Sequence, residues 1–268
     1  NPGDKARKLT DIVKVTSGSS DTASKFVDTL YSSIILAGTH MAPSIKVAEA
    51  SKVIENVQRD VNIALMNEFS AIFDSLSIDT SDVLKAAGSK WNFLPFTPGL
   101  VGGHCIGVDP FYLIHKANKI GAEADLMKAS RKINENVPAL IVRKLVKLCS
   151  SRGMHLDKAK VLILGCSFKE DCPDIRNSKV ITLSNLASEW FSSVQIEDEI
   201  VSADEVLRDY GIEINSSGET VFDIIVLAVP HQYIVEQGVD NIRPRLAQNG
   251  IFFDLKSTFP AIHSDLRL

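Results

Sequence analysis

No apolar run in the 268-residue sequence approaches the ~20 residues needed to span a bilayer, so no membrane partner is expected. Cysteine is scarce. The four present, Cys105, Cys149, Cys166 and Cys172, form neither a disulfide framework nor a C-x-x-C pair, so no metal site is expected and a reducing cytoplasm is the natural compartment. An excess of either charge is missing too. With 29 basic against 33 acidic side chains and a net charge of −4, and with no polybasic block, there is no electrostatic ground for nucleic-acid binding. Internal repeats and low-complexity tracts are absent. No G-x-G-x-x-G follows a strand, and that is the fingerprint a dinucleotide domain should show. The start, Asn1-Pro2-Gly3-Asp4-Lys5, is polar and reads as no signal peptide. The first residue is not Met, which suggests a processed product, an engineered piece or a fragment.

What is there is an ordinary globular balance of 45% hydrophobic and 23% charged residues, in a length that suits roughly two domains. In residues 1–43 the alternation Ile12-Val13-Lys14-Val15-Thr16 predicts a short strand. Ser20 or Asp21 caps a helix through about Ile35, with Phe26, Leu30 and Ile34 on one face. A strand and a helix cannot bury a core alone. Residues 48–76 hold neither Pro nor Gly and predict a long helix with Val53, Val57, Ala64 (with Val61 and Leu65) and Phe69 on its buried side. Glu49, Lys52, Asn56 and Arg59 share another face, which from periodicity alone reads as a solvated stripe. A second helix is expected from Asp79 or Thr80 to Ala87, then an aromatic, proline-rich loop, Trp91 to Pro98. Phe111–Ile120 and a long stretch, 123–152, also read as helices, with Pro138 kinking or breaking the latter. From Lys158 the pattern alternates. Strands at Val161–Gly165, Val194–Ile196, Ile224–Ala228 and Ile251–Phe253, with helices between them, argue a doubly wound parallel sheet.

The stretch with chemistry in it is Gly102-Gly103-His104-Cys105-Ile106-Gly107-Val108-Asp109-Pro110. Paired glycines let backbone approach where a Cβ would clash, and a thiol beyond such a turn can be presented to a substrate. With its flanks, Pro98 to Leu113, this segment resembles the catalytic-cysteine segment of the UDP-glucose/GDP-mannose dehydrogenase family. The His before the Cys and the Ile-Gly-Val-Asp-Pro after it resemble the branch that oxidises UDP-N-acetylhexosamines. The resemblance implies an α/β protein in three parts. Residues 1–43 would be the remnant of an N-terminal NAD-binding Rossmann domain, with Asn1–Asp4 just after that domain's glutamate loop. Residues 44–153 would be a central helical domain with the catalytic cysteine, the long connecting helix and the homodimer surface. Residues 154–268 would be a Rossmann-like UDP-binding domain.

The resemblance also implies roles. Lys52 and Asn56 match the lysine and asparagine that face the reacting carbon. Cys105 would be the nucleophile, and Asp109 would orient water or hold Lys52. Phe93 or Phe96 would stack on uracil, and Gly99, Gly102 and Gly103 would line the substrate. Lys169 and Arg176, between a strand end and a helix start in Leu164–Ser178, would meet phosphate. Lys256 falls where the family often has a substrate-binding arginine, without that residue's fork. The implied activity is NAD-dependent oxidation of the sugar C6 alcohol to the acid, for surface polysaccharide precursors. Most of the NAD domain would be missing, so this chain would be inactive alone. The competing reading is an inert UDP-sugar-binding and dimerisation fragment. A cysteine hydrolase is poorly served, because His104 adjoins Cys105 and adjacent residues rarely face one another.

Overall fold

The computed structural model describes residues 8–216 and 220–268. The segment Asn1–Asp4 therefore lies outside the described residues. The chain divides into two compact units, Asn1–Arg59 and Asp60–Leu268.

The first unit contains strand β1 (Lys14–Thr16), helix α1 (Asp21–Ser32), strand β2 (Thr39–Met41) and the start of α2 (Ile45–Ser75). Ser20 caps α1, its hydroxyl accepting from the Ala23 N–H at 3.2 Å, which satisfies one of the donors a helix start leaves over. β1 and β2 pair in parallel, as a strand–helix–strand connection allows. None of the residues of α1 is buried, and Phe26, Leu30 and Ile34 all lie more than half exposed.

The second unit continues α2 and adds α3 (Thr80–Gly88), α4 (Asp109–Lys119) and α5 (Asp125–Ser151). Asp79 caps α3 by accepting from the Asp82 N–H at 3.0 Å. Helix α5 runs unbroken past Pro138, so of the two expected outcomes the break does not occur. The ring removes only one N–H from a helix of 27 residues, and tertiary packing outweighs that loss.

Then come β3 (Lys160–Leu164), α6 (Lys179–Ser188), β4 (Ser193–Glu197), α7 (Ala203–Tyr210), β5 (Phe222–Leu227), α8 (Gln232–Gln237), α9 (Val239–Ile242), β6 (Leu246–Asp254) and β7 (Leu266–Arg267). All five strands are parallel, in the order β4-β3-β5-β6-β7. Alternate residues of β3 face opposite sides. Val161 and Ile163 join Ile141, Leu145 and Cys149 of α5 and Val180 and Leu183 of α6, while Leu162 and Leu164 join Phe252, Ile234 and Ile242. Both faces are covered, so the strands read as continuous apolar runs. Each fully buried Leu or Ile contributes about 1.5–3 kcal/mol. The C-terminal half of α5 is therefore part of the sheet's core, and at its other end Leu126 is 68% exposed.

In this topology the order reverses between β3 and β5. Ligands of open parallel sheets lie at the carboxyl ends of such strands. The loops after β3 and β5 therefore mark the place to examine.

Candidate active site

The loop after β3 carries Phe168, Lys169, Asp174, Arg176 and Asn177, and the glycine–cysteine segment packs on it. A Cβ on Gly103, whose φ is +80°, would lie 2.9 Å from the Phe168 ring, and one on Gly102 would lie 2.7 Å from the Asn177 carbonyl oxygen. Glycine is required at both because protein already fills the space. Asn177 Nδ2 donates to the Gly103 carbonyl at 3.1 Å. Phe168 meets His104 edge-on with centroids 6.4 Å apart, and Lys169 Nζ lies 5.8 Å from the Phe168 ring centre. One aromatic ring thus joins the cysteine segment to the Lys169 ammonium, a contact cation–π attraction favours. His104 turns toward Asp174, with Nδ1 3.8 Å from Oδ2.

Cys105 is the only cysteine among the described residues that is not buried. Its carbonyl accepts from the N–H groups of Val108 and Asp109 at 3.0 and 2.8 Å, which closes a tight turn into α4. Asp109 opens that helix with Pro110 behind it, a proline placement suited to a first turn. Burial pushes the thiols of Cys149 and Cys166 up, to about 11 and about 12. Neither is fit to be a nucleophile at neutral pH.

Arg176 is committed to Asp174. Its Nε donates at 2.9 and 3.1 Å and its Nη2 at 2.5 Å to that carboxylate. The hydrogen bonds from Arg176 hold the Asp174 carboxyl below the usual range, and the Asp174 carboxylate in turn keeps the guanidinium protonated. Only part of the guanidinium fork is left to meet a phosphate. Among the described residues no carboxylate pairs with Lys169, whose ammonium lies by the Phe168 ring. On the expectation that this loop meets the phosphates of UDP, Lys169→Ala should weaken UDP binding about ten-fold, the loss of one charge-assisted hydrogen bond, and Arg176→Ala should weaken it less. Titration calorimetry with UDP checks the order.

A separate group gathers around the aromatic loop. Phe93, Pro95, Phe96 and Pro98 line a cavity of about 230 Å³ with Leu255 and Lys256. The Lys256 side chain lies over Gly99, where a Cβ would stand 2.8 Å from Nζ. Thus the structure packs Gly102 and Gly103 on the loop that carries Phe168, Lys169 and Arg176, with Cys105 further along the same segment, and brings Phe93, Phe96 and Lys256 around one cavity with Gly99 under the Lys256 side chain. Lys52 and Asn56 stand on α2 within the first unit, Lys52 exposed and Asn56 buried. Glu55 and Arg59 form a 2.6 Å ion pair one helical turn apart, as their spacing suggests.

Sequence reasoning missed the buried polar groups behind these loops, namely Asp60, Asn67, Arg131 and Asn134, and Asp198 with His231. A signal existed for the helical ones. Asn67 and Asn134 interrupt apolar stretches at positions the helical period assigns to the interior. Among the described residues no group of three or more His, Cys, Asp or Glu could hold a metal, and no helix is long and apolar enough to cross a membrane.

Comparison with known proteins identifies the family. The central-domain model of the UDP-glucose/GDP-mannose dehydrogenase family matches residues 46–136. The UDP-binding-domain model of the same family matches residues 162–261. The chain belongs to this family. It is 49% identical over 269 residues to a UDP-N-acetyl-D-glucosamine 6-dehydrogenase of Pseudomonas aeruginosa, a match covering 100% of this chain and 64% of that protein. It is 47% identical to Protein CapL of Staphylococcus aureus, over 96% of this chain and 60% of the relative. Among solved structures, a UDP-D-ManNAc dehydrogenase from Pyrococcus horikoshii superposes with a TM-score of 0.82 at 25% identity, over 95% of this chain and 59% of that one. The chain thus spans about two thirds or less of the length of these relatives. The family's central helical domain followed by a parallel-sheet UDP-binding domain is the architecture seen here.

Proposed function

We propose that this chain supplies the substrate-binding and cysteine-bearing parts of a UDP-N-acetylhexosamine 6-dehydrogenase, with UDP-N-acetylglucosamine as the first substrate to test. The observation that carries the reading is the packing of the Cys105 segment on the Phe168–Asn177 loop at the carboxyl end of β3. That packing joins the segment carrying the thiol to the loop carrying Lys169 and Arg176, whose charges suit a diphosphate. The name and identity of the Pseudomonas relative support the choice of hexosamine.

In this reading the sugar's C6 alcohol is first oxidised to the aldehyde. The Cys105 thiolate adds to the aldehyde carbon and gives a thiohemiacetal. A second oxidation leaves a thioester, and water hydrolyses it to the carboxylate and the free thiol. Lys52 and Asn56 donate to the oxygen that gains charge, and Asp109 orients the water or holds Lys52. Phe93 or Phe96 stacks on the base. Gly99, Gly102 and Gly103 line the substrate with backbone, Lys169 and Arg176 meet the phosphates, and Lys256 closes the far side.

NAD supplies the hydride acceptor in this family's reaction. The described residues do not fit it as a cradle. Gly18, between β1 and α1, has its Cβ space filled by the backbone of α1, with Ser24 N at 2.4 Å. NAD is therefore proposed for the whole protein and assigned to no residue of this chain.

We place the protein in the cytoplasm, as a homodimer without a nucleic-acid partner. Leu65, expected on the buried side of α2, and Ile72 stay 41% and 47% exposed on that helix, and Leu76 just beyond its end 61%; an apolar stripe of that kind suits helix packing against a second copy. The test is the protein made from its whole reading frame, with NAD and UDP-N-acetylglucosamine. About two NADH per uronic acid are expected, as a four-electron oxidation of an alcohol through a covalent intermediate requires. UDP binding with no NADH from any UDP-N-acetylhexosamine would leave only the inert binding fragment.

A further inference from the structure

A chain of polar side chains crosses the interior of the second unit. Asn67 is 3% exposed, Asp60 1%, Arg131 2% and Asn134 0%. Burial of such groups is costly unless each finds partners. Asn67 accepts from the Gly99 N–H through Oδ1 at 2.8 Å and donates from Nδ2 to the Gly99 carbonyl at 3.1 Å. The carboxamide thus pairs with both backbone groups of one residue, as a neighbouring strand would. The same Nδ2 donates to Asn134 Oδ1 at 2.9 Å, which fixes the orientation of the amide. Asn134 Nδ2 donates to Asp60 Oδ1 and to its carbonyl at 2.7 and 2.9 Å, and Arg131 Nη1 donates to the same Oδ1 at 2.5 Å. Arg131 also pairs with Glu135, which takes Lys179 Nζ at 2.5 Å. Asn67 is therefore braced from α5 and has little freedom to follow a moving loop.

Gly99 is the junction between the two groups of candidate site residues. On its N-terminal side the chain carries Phe96 and Pro98 into the cavity that Lys256 closes. On its C-terminal side the chain leads to Gly102, Gly103 and Cys105, anchored again where Asn177 donates to the Gly103 carbonyl. We propose that Asn67 is a positioning residue: by pinning Gly99 it sets the Lys256 ammonium over the loop and fixes the near end of the segment that presents the Cys105 thiol. Asn67 does this through backbone and needs no contact with the substrate. The inference rests on the proposed function for the roles of Cys105 and Lys256.

The test uses two variants. Asn67→Asp keeps the shape and the acceptor for the Gly99 N–H but loses the donor to the Gly99 carbonyl and to Asn134. Asn67→Ala loses the clamp entirely. Iodoacetamide alkylation of each cysteine is followed by mass spectrometry, with Cys149, Cys166 and Cys172, all buried, as internal reporters of global opening. The Cys105 rate is expected to rise about five-fold or more, as loss of roughly one hydrogen bond's stabilisation in a local opening requires. The three buried cysteines stay protected. In the protein from the whole reading frame, kcat per titrated Cys105 falls by about ten- to a hundred-fold, the cost of a small misplacement of a reacting group.

An unchanged Cys105 rate in both variants overturns the proposal. So does a parallel rise at all four cysteines, which would mark Asn67 as part of the general core. Alkylation needs no turnover. A failed dehydrogenase assay with a selective Cys105 response would overturn the assigned reaction and leave the clamp standing.

Discussion

Cys105→Ser is expected to abolish formation of the uronic acid, lowering its rate by about a thousand-fold or more, in the range found when an enzyme's nucleophile is removed. A serine hydroxyl does not ionise near neutral pH, so it cannot match a thiolate in adding to an aldehyde. It is also a poor leaving group beside a thiol, which slows hydrolysis of any ester formed. The substitution removes no hydrogen bond seen in the structure, because the Cys105 backbone carbonyl makes the turn into α4. UDP affinity and thermal stability should therefore stay near those of the parent protein. Product analysis by mass spectrometry, with calorimetric UDP binding alongside, checks both halves. Acid formed at the parent rate would remove Cys105 from the mechanism. Lost UDP binding would mean that the segment holds its neighbours in place and does not act on the sugar.

The fold was legible where local chemistry and tertiary packing agree. Val161–Gly165 is apolar on both sides because β3 is covered on both faces. Ser20 and Asp79 sit at helix starts because their side-chain oxygens satisfy backbone donors there. β2 and β7 escaped notice. At three and two residues they carry no periodicity, and their pairing is decided by partners distant in sequence. Of the candidate site, the glycine–cysteine segment was visible as a motif, yet the reason for its glycines was not. Only the structure shows Phe168 and Asn177 in the space a Cβ would need. The commitment of Arg176 to Asp174 is likewise invisible in a loop where acids and bases alternate. The buried amides of Asn67 and Asn134 read in sequence as polar interruptions, since hydrogen bonding between α2 and α5 is a long-range property.

Asp198→Ala should destabilise the parallel-sheet part by about 3–5 kcal/mol, the usual cost of leaving one member of a buried polar pair unpartnered. Asp198 is fully buried just beyond β4, with His231 equally buried after β5. Its Oδ2 accepts from the N–H groups of Cys166 and Ser167 at 2.6 and 3.3 Å and from His231 Nε2 at 2.9 Å. Its Oδ1 accepts from Ile200 and Val201 N–H at 2.8 and 3.2 Å. His231 is held in that tautomer because its Nδ1 accepts from the Asp171 N–H at 2.9 Å, and its ring stacks on Tyr233. One carboxylate thus ties together the ends of β4, β3 and β5, where the strand order reverses, and it anchors the first residues of the loop that carries Lys169.

Burial acts to raise this carboxyl's pKa. The hydrogen bonds from His231 and from the backbone of Cys166 and Ile200 outweigh burial together, and the pKa is lowered. The folded state therefore binds this proton less readily than the unfolded chain. The stabilisation is complete above the unfolded value of about 3.9 and is lost as pH falls through the lower folded value. Urea denaturation of the parent protein should show stability falling below about pH 4, and Asp198→Asn should flatten that part of the profile while lowering stability at neutral pH. UDP binding should weaken in Asp198→Ala, because the loop after β3 loses its two backbone tethers. A variant with the parent's stability and acid profile would show that the sheet end is held by packing alone, and Lys169 would then owe its position to Phe168 rather than to the carboxylate beneath it.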